Sequence, residues 1–204
     1  MNNGQEAVMQ DAFIGSWARE SQLSAEILGS LRDLNHRFLD LAAVRAGWAA
    51  ARVAALSPAQ RAAAAGCPYA LFDLRFQDDG HWRLRLQNLG RWCVAEETAV
   101  EDDTVSFVRL ALFYAWHVAS SEGMKAQLLL GMNGTTAAAF RRLTVNDLPA
   151  LVASEAKHLS PRWDGCAVYW GSLTAAAART DSKTLRRVQL HGLQLAAAAR
   201  LPDP

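Results

Sequence analysis

Between residues 27 and 44 apolar side chains recur every three or four positions, and Ile27, Leu28, Leu31, Leu34, Phe38, Leu41 and Val44 make one stripe. That period predicts an amphipathic helix beginning at Ser21 or Ser24. The stripe is long for a lone surface helix, so Leu31 and Phe38 are read as facing a partner helix or a second copy of the chain. Residues 1–20 show no clean period. Ser57-Pro58-Ala59-Gln60 predicts another helix start: Ser57 accepts from a first-turn amide, Pro58 needs no donor there, and Gln60 completes a capping box. Gly66-Cys67-Pro68 ends that helix.

The period then changes to two. Phe72, Leu74 and Phe76 alternate with Asp73 and Arg75, and beyond Gln77-Asp78-Asp79-Gly80 the residues Trp82, Leu84 and Leu86 alternate with Arg83 and Arg85. This predicts a β-hairpin near 69–87. An acidic connector, Glu96 to Asp103, divides the chain into an N-terminal lobe, 1–97, and a C-terminal lobe, 98–204. Asp102 or Asp103 caps a helix that turns Val105, Val108, Leu112, Phe113, Trp116 and Ala119 inward, with acids at the positive end of its dipole.

Three short helices follow: Ser121 to Leu130 with Gly131 as its stop, Thr135 to Arg142, and Val145 to His158 capped by Thr144 with Asp147 at N3. Their order outlines a helix-turn-helix unit. Two more helices are expected in the tail, over Ala167 to Ala178 and from the Asp181/Ser182 cap through Leu185, Val188, Leu190, Leu193 and Leu195. The expected fold is mainly α, a helical bundle with a helix-turn-helix-like unit and one small β-hairpin.

Composition agrees with that class. The 204 residues include 39 Ala and 27 Leu, so about a third of the chain is strong helix former. No apolar run is long enough to span a bilayer, and the start MNNGQEAVMQDAF has neither the basic nor the apolar part of a secretory signal. A cytoplasmic protein without a membrane segment is expected. Cys67, Cys93 and Cys166 are too widely spaced for a disulfide framework or a CxxC zinc site, and are read as free thiols.

The net charge of +1 hides an asymmetry. Residues 1–124 carry 11 Lys/Arg and 15 Asp/Glu, residues 125–200 carry 10 and 4, and Asp203 completes the total. A local basic excess suits a polyanionic partner. The candidate phosphate contacts are Arg141, Arg142, Lys157, Arg162, Arg186 and Arg187, the last two in the first turns of a helix, where cations oppose the dipole. No HExxH pair, GxSxG elbow, GxGxxG turn or Walker loop is present. The histidines His36, His81, His117, His158 and His191 are scattered and form no spaced ligand set. No catalytic residue, metal or cofactor is therefore expected. Of seven tryptophans, Trp163 and Trp170 stand seven apart and would share a helical face, as core or as an aromatic patch for a partner protein.

The run AWHVASSEGMKAQLLLGM from Ala115, continuing through AAAFRRLTVNDLPALVAS to Trp163, resembles FlhD, one subunit of the bacterial flagellar master transcription regulator. Leu130-Gly131, Ala137, Ala139, Leu143-Thr144 and Leu151 occupy the family's helix-end, small-residue and cap positions. A weaker echo at Leu34-Asn35, Phe38-Leu39, Leu56-Ser57-Pro58-Ala59-Gln60, Cys67 and 74–79 suggests a shortened tandem unit. The resemblance implies a helical, oligomeric DNA-binding regulator working with a partner subunit. Departures are specific: Leu128, Leu129 and acidic Glu155 stand where the family has residues linked to DNA contact, and Leu159 falls near its inter-subunit cysteine. Two functions are therefore expected to compete. One is a non-catalytic transcriptional regulator that binds double-stranded DNA alone or with a partner subunit, as a homodimer or hetero-oligomer. The other is an α-helical protein–protein adaptor on a degenerate helix-turn-helix scaffold.

Overall fold

A computed structural model of the chain describes residues 3–44, 48–89 and 102–198, and the side chains of 24–44, 51–89 and 102–198. Among them are ten α-helices and one two-stranded sheet: α1 (Asn3–Val44), α2 (Trp48–Ala54), α3 (Pro58–Ala64), β1 (Phe72–Asp73), α4 (Asp79–Gln87), α5 (Asp103–Ser121), α6 (Gly123–Leu130), α7 (Gly134–Phe140), α8 (Leu148–Ala156), β2 (Ser160–Pro161), α9 (Ala167–Ala178) and α10 (Ser182–Ala198). The fold is mainly α. No helix among the described residues is long and apolar enough to cross a membrane.

Helix α1 runs back to Asn3 rather than starting at Ser21 or Ser24, because residues 3–20 hold no proline to stop it. Its stripe is buried at Ile27, Leu31, Leu34 and Phe38, while Leu28 and Val44 are exposed. Leu31 and Phe38, read as partner-facing, instead meet the chain's own core, where Phe38 touches the rings of Phe72 and Phe107. The Ser57 capping box forms as expected, with Gln60 N donating to Ser57 Oγ at 3.3 Å and Ser57 N to Gln60 Oε1 at 2.8 Å. Helix α5 is the hub of the bundle and packs against α1, α6, α7 and α8. So many neighbours bury more of it than one stripe: Thr104, Phe107, Val108, Ala111, Leu112, Ala115, Val118 and Ala119 are all inside.

The expected hairpin at 69–87 does not form. Phe72-Asp73 is a strand, but it pairs antiparallel with Ser160-Pro161, Phe72 opposite Pro161 and Asp73 opposite Ser160. Residues 79–87 are helical. The physical reason lies in the turn. Asp78 Oδ1 accepts from His81 N at 2.8 Å while its Oδ2 pairs with Arg75, and this cap starts a helix in place of the turn. The alternating run also reads as Trp82, Leu86 and Leu89 at steps of four and three, and the helix buries Trp82 while leaving Leu84 exposed. The candidate lobe boundary at 96–103 falls largely outside the described residues. One core cluster extends from Ile27 to Val188, drawing on both sides of that boundary.

The core's centre is irregular chain, residues 65–76, in which Tyr69 through Phe72, Leu74 and Phe76 are fully buried. Irregular backbone inside a protein needs partners for every amide and carbonyl. Buried Asn35 on α1 supplies several: its Nδ2 donates to the carbonyls of Ala65 (3.3 Å), Cys67 (3.3 Å) and Tyr69 (2.9 Å), and its Oδ1 accepts from Leu71 N at 2.9 Å. Ala70 N donates to Leu129 O and Arg162 N to Leu71 O, tying the segment to α6 and β2. At the far end α10 docks through Val188, Gly192 and Ala196. Gly192 is required there, since a Cβ would stand 1.9 Å from the Tyr69 hydroxyl oxygen.

Replacing Asn35 by leucine keeps the branched shape, with larger methyl groups in place of the carboxamide, and removes four hydrogen bonds. Stranding those buried groups is expected to cost at least about 3 kcal/mol. Urea unfolding of N35L against wild type measures it; a loss below about 1 kcal/mol would mean that water reaches the segment.

Candidate functional site

Helices α6 and α7 are joined by Gly131-Met132-Asn133. Gly131 closes α6 in the left-handed conformation at φ 76°, and Asn133 caps α7 by accepting from Thr136 N at 2.6 Å. A Cβ on residue 131 would stand 2.6 Å from Arg162 Nη2, so the position demands glycine twice, by conformation and by space. After α7 a 3₁₀ turn, Val145–Asp147, leads to α8, and Asp147 Oδ2 accepts from both Thr144 N (2.7 Å) and Thr144 Oγ1 (2.8 Å). Trp116 Nε1 donates to Leu143 O at 2.8 Å and fastens that turn to α5.

On this unit Arg141 and Arg142 close α7, and both are exposed. Lys157 ends α8 and is exposed, as are Arg186 and Arg187 on α10. Arg141, Arg142, Lys157 and Arg186 make no ion pair with any described residue; the charge of Arg187 helps hold the Asp181 carboxyl low, behind the hydrogen bonds from Thr184.

Arg162 does not belong with them. Only 4% exposed, it donates through Nη1 to Leu129 O at 3.1 Å and covers the Trp163 ring at 4.6 Å. Its Nη2 has no hydrogen-bond partner among the described residues. Burial holds its guanidinium below the ordinary arginine value, with the Asp73 carboxylate opposing the shift. It braces β2 from inside, so the reading of Arg162 as a phosphate contact is corrected.

The aromatic pair is likewise internal. Trp170 is 1% exposed and donates to Arg162 O at 2.9 Å; half-buried Trp163 has φ 54° and packs edge-on to Tyr69 and Tyr169. Trp170 is core and Trp163 packs half-buried against the core, so the two do not form an exposed aromatic patch. Burial first, then the Tyr69 and Tyr169 hydroxyls opposing it, sets the Cys67 thiol at about 11, while burial raises both tyrosines as well. The two hydroxyls stand 3.0 Å apart. Cys93 lies outside the described residues.

The expectation of five scattered histidines is also corrected. His81 on α4 meets Glu155 and His158 at the end of α8: His81 Nε2 lies 2.8 Å from Glu155 Oε2, and the two imidazoles are edge to face at 4.9 Å. Glu155 is wholly buried, with Arg85 Nε at 3.0 Å and Ser154 Oγ at 3.2 Å on its other oxygen. It is therefore a paired core carboxylate rather than an acid on a DNA-facing surface. Burial lowers His158 below the ordinary imidazole value, as do His81, Arg75 and Lys157, while Glu155 opposes them. The sequence signal for this cluster was the Glu-x-x-His spacing of Glu155 and His158, which puts both on one helical face. His81 had no such signal while 79–87 was read as a strand.

No family model, no curated protein and no solved structure matches this chain.

The Cys67–Tyr69–Tyr169 cluster sets an alkaline limit. Its folded-state values are raised, so its neutral forms stabilise the fold below the ordinary thiol and phenol values, and that contribution fades as pH rises through them. Raising Cys67 from 9.0 to about 11 alone corresponds to roughly 2–3 kcal/mol by pH 11. Urea unfolding in reductant should show stability level from pH 7 to about 8.5 and falling above about 9. Cys67→Ala should flatten the fall; an unchanged pH profile would assign it to other groups.

Proposed function

We propose that this chain is a non-catalytic, cytoplasmic transcriptional regulator that binds double-stranded DNA, alone or with a partner subunit. The observation that carries the reading is the exposed Arg141-Arg142 step at the end of the second helix of the α6–turn–α7 unit, which makes no ion pair among the described residues. Consecutive unpaired guanidinium groups meet phosphates at no cost in broken ion pairs, and neutralising phosphates supplies most sequence-independent affinity. Lys157, Arg186 and Arg187 add exposed cations from the same basic half of the chain. The resemblance to FlhD across 115–163 supports the same class.

A partner subunit or second copy would seat along the α1–α5 groove of about 350 Å³, where Leu41 and Phe107 are joined by exposed Val44 and Leu110. The adaptor reading is favoured by a different feature, an apolar groove of about 420 Å³ between α4 and α7 lined by Trp82, Leu86, Leu89, Ala139 and Leu143. It suits the apolar side of a partner helix.

The two are separated by anisotropy of a labelled duplex of about 30 base pairs, titrated at low and moderate salt. Wild type should bind with an affinity that falls steeply with salt. Arg141→Glu with Arg142→Glu should weaken binding to every sequence and lower the log–log salt slope by about 2, one unit per phosphate lost. Equal affinity of variant and wild type sinks the DNA assignment; no binding by wild type at low salt puts the adaptor first.

A further inference from the structure

The geometry points to a divalent transition-metal site formed by His81, Glu155 and His158. One donor atom from each lies within 4.8 Å of the others, on two elements, α4 and the end of α8, that sequence distance had kept apart. Two imidazoles and one carboxylate make a three-protein-ligand set with a position left for water. Nitrogen donors in the majority favour Zn²⁺ over Mg²⁺ or Ca²⁺, which take oxygen.

The arrangement has the supports that such sites use. Glu155 Oε1 is held by Arg85 Nε at 3.0 Å and Ser154 Oγ at 3.2 Å, which leaves Oε2 directed at His81. The glutamate closes α8 and His158 follows in the turn beyond it, whose His158 N–H donates to Glu155 O at 2.9 Å, and Ser154 and Arg85 are the outer contacts that orient a ligating carboxylate. The 2.8 Å contact between His81 Nε2 and Glu155 Oε2 opens by about half an ångström to the roughly 3.3 Å that tetrahedral ligands at about 2.0–2.1 Å subtend. Binding moves the His81 proton from Nε2 to Nδ1, so Nε2 presents its lone pair to the ion. His158 is half-buried, so the cluster reaches the edge of the protein. This inference does not rest on DNA binding.

The test uses the full chain without an affinity tag, stripped by chelator and titrated with Co²⁺ by visible absorption and with Zn²⁺ by calorimetry. One equivalent should bind, with ligand-field bands of a nitrogen–oxygen site and a higher melting temperature. His158→Ala, which leaves the Glu155–Arg85 pair in place, should fold as wild type does and lose at least tenfold in affinity. His81→Ala should lose as much. Wild type that takes up neither ion overturns the site, as does His158→Ala binding with unchanged stoichiometry and affinity. A Co²⁺ spectrum with thiolate charge-transfer bands that survives both histidine variants would place the ion on cysteines and overturn it too.

Discussion

The carboxamide of Asn35 is what lets irregular chain occupy the middle of this protein. Helices satisfy their own backbone, but residues 65–71 cannot, and Ala65, Cys67, Tyr69, Ala70 and Leu71 among them are buried away from water. One side chain on α1 engages four of their backbone groups, and the remaining strands of the segment are fastened outward to Leu129 and Arg162. The small sheet, the buried arginine and the tyrosine pair all assemble around that fixed segment. The helix-turn-helix-like unit in turn takes its position from it, since Leu129 and Gly131 at the end of α6 contact the same Ala70 and Arg162.

Local chemistry was readable where it was self-contained. The Ser57 box, the Gly131 stop, the Thr144–Asp147 cap and the bounds of α9 follow from residues within one turn of each other, and the helical class follows from Ala and Leu content. Reading failed where one pattern served two periods. Trp82, Leu84 and Leu86 alternate as a strand would, yet Trp82, Leu86 and Leu89 also share a helical face, and Asp78 decides between them by capping. It failed again where burial depends on distant neighbours. Nothing near Arg162 in sequence says that it points inward beneath Gly131, and nothing near His81 says that Glu155 waits 74 residues away. Of the proposed DNA contacts, Arg141, Arg142 and Lys157 at helix ends and Arg186 and Arg187 on the solvent side of α10 stay exposed, whereas Arg162, in the turn after β2, does not.

Burial redistributes charge without changing its balance. Among the described residues 125–198, taking inward Arg162 from the nine cations and inward Glu155 from the four anions leaves the excess at five. The difference is in placement. The described cations that remain sit on α6 and α10 and at the C-terminal ends of α7, α8 and α9, whereas the two removed charges bond inside, Arg162 to the end of α6 and Glu155 to α4.

The tyrosine pair also orders the way the chain can come together. Tyr69 and Tyr169 are 100 residues apart, and closing so long a loop carries an entropic cost of about 4 kcal/mol before any contact repays it. Such distant pairings slow a fold that is otherwise built from quick, local helices. During synthesis the stretch from Tyr69 to Phe76 leaves the ribosome long before α9 exists to meet it, and Gly192 arrives later still to cover the Tyr69 hydroxyl. Over that interval a segment whose apolar side chains end wholly buried is present and uncovered, which makes the nascent chain, more than the finished protein, the form that needs protection from aggregation.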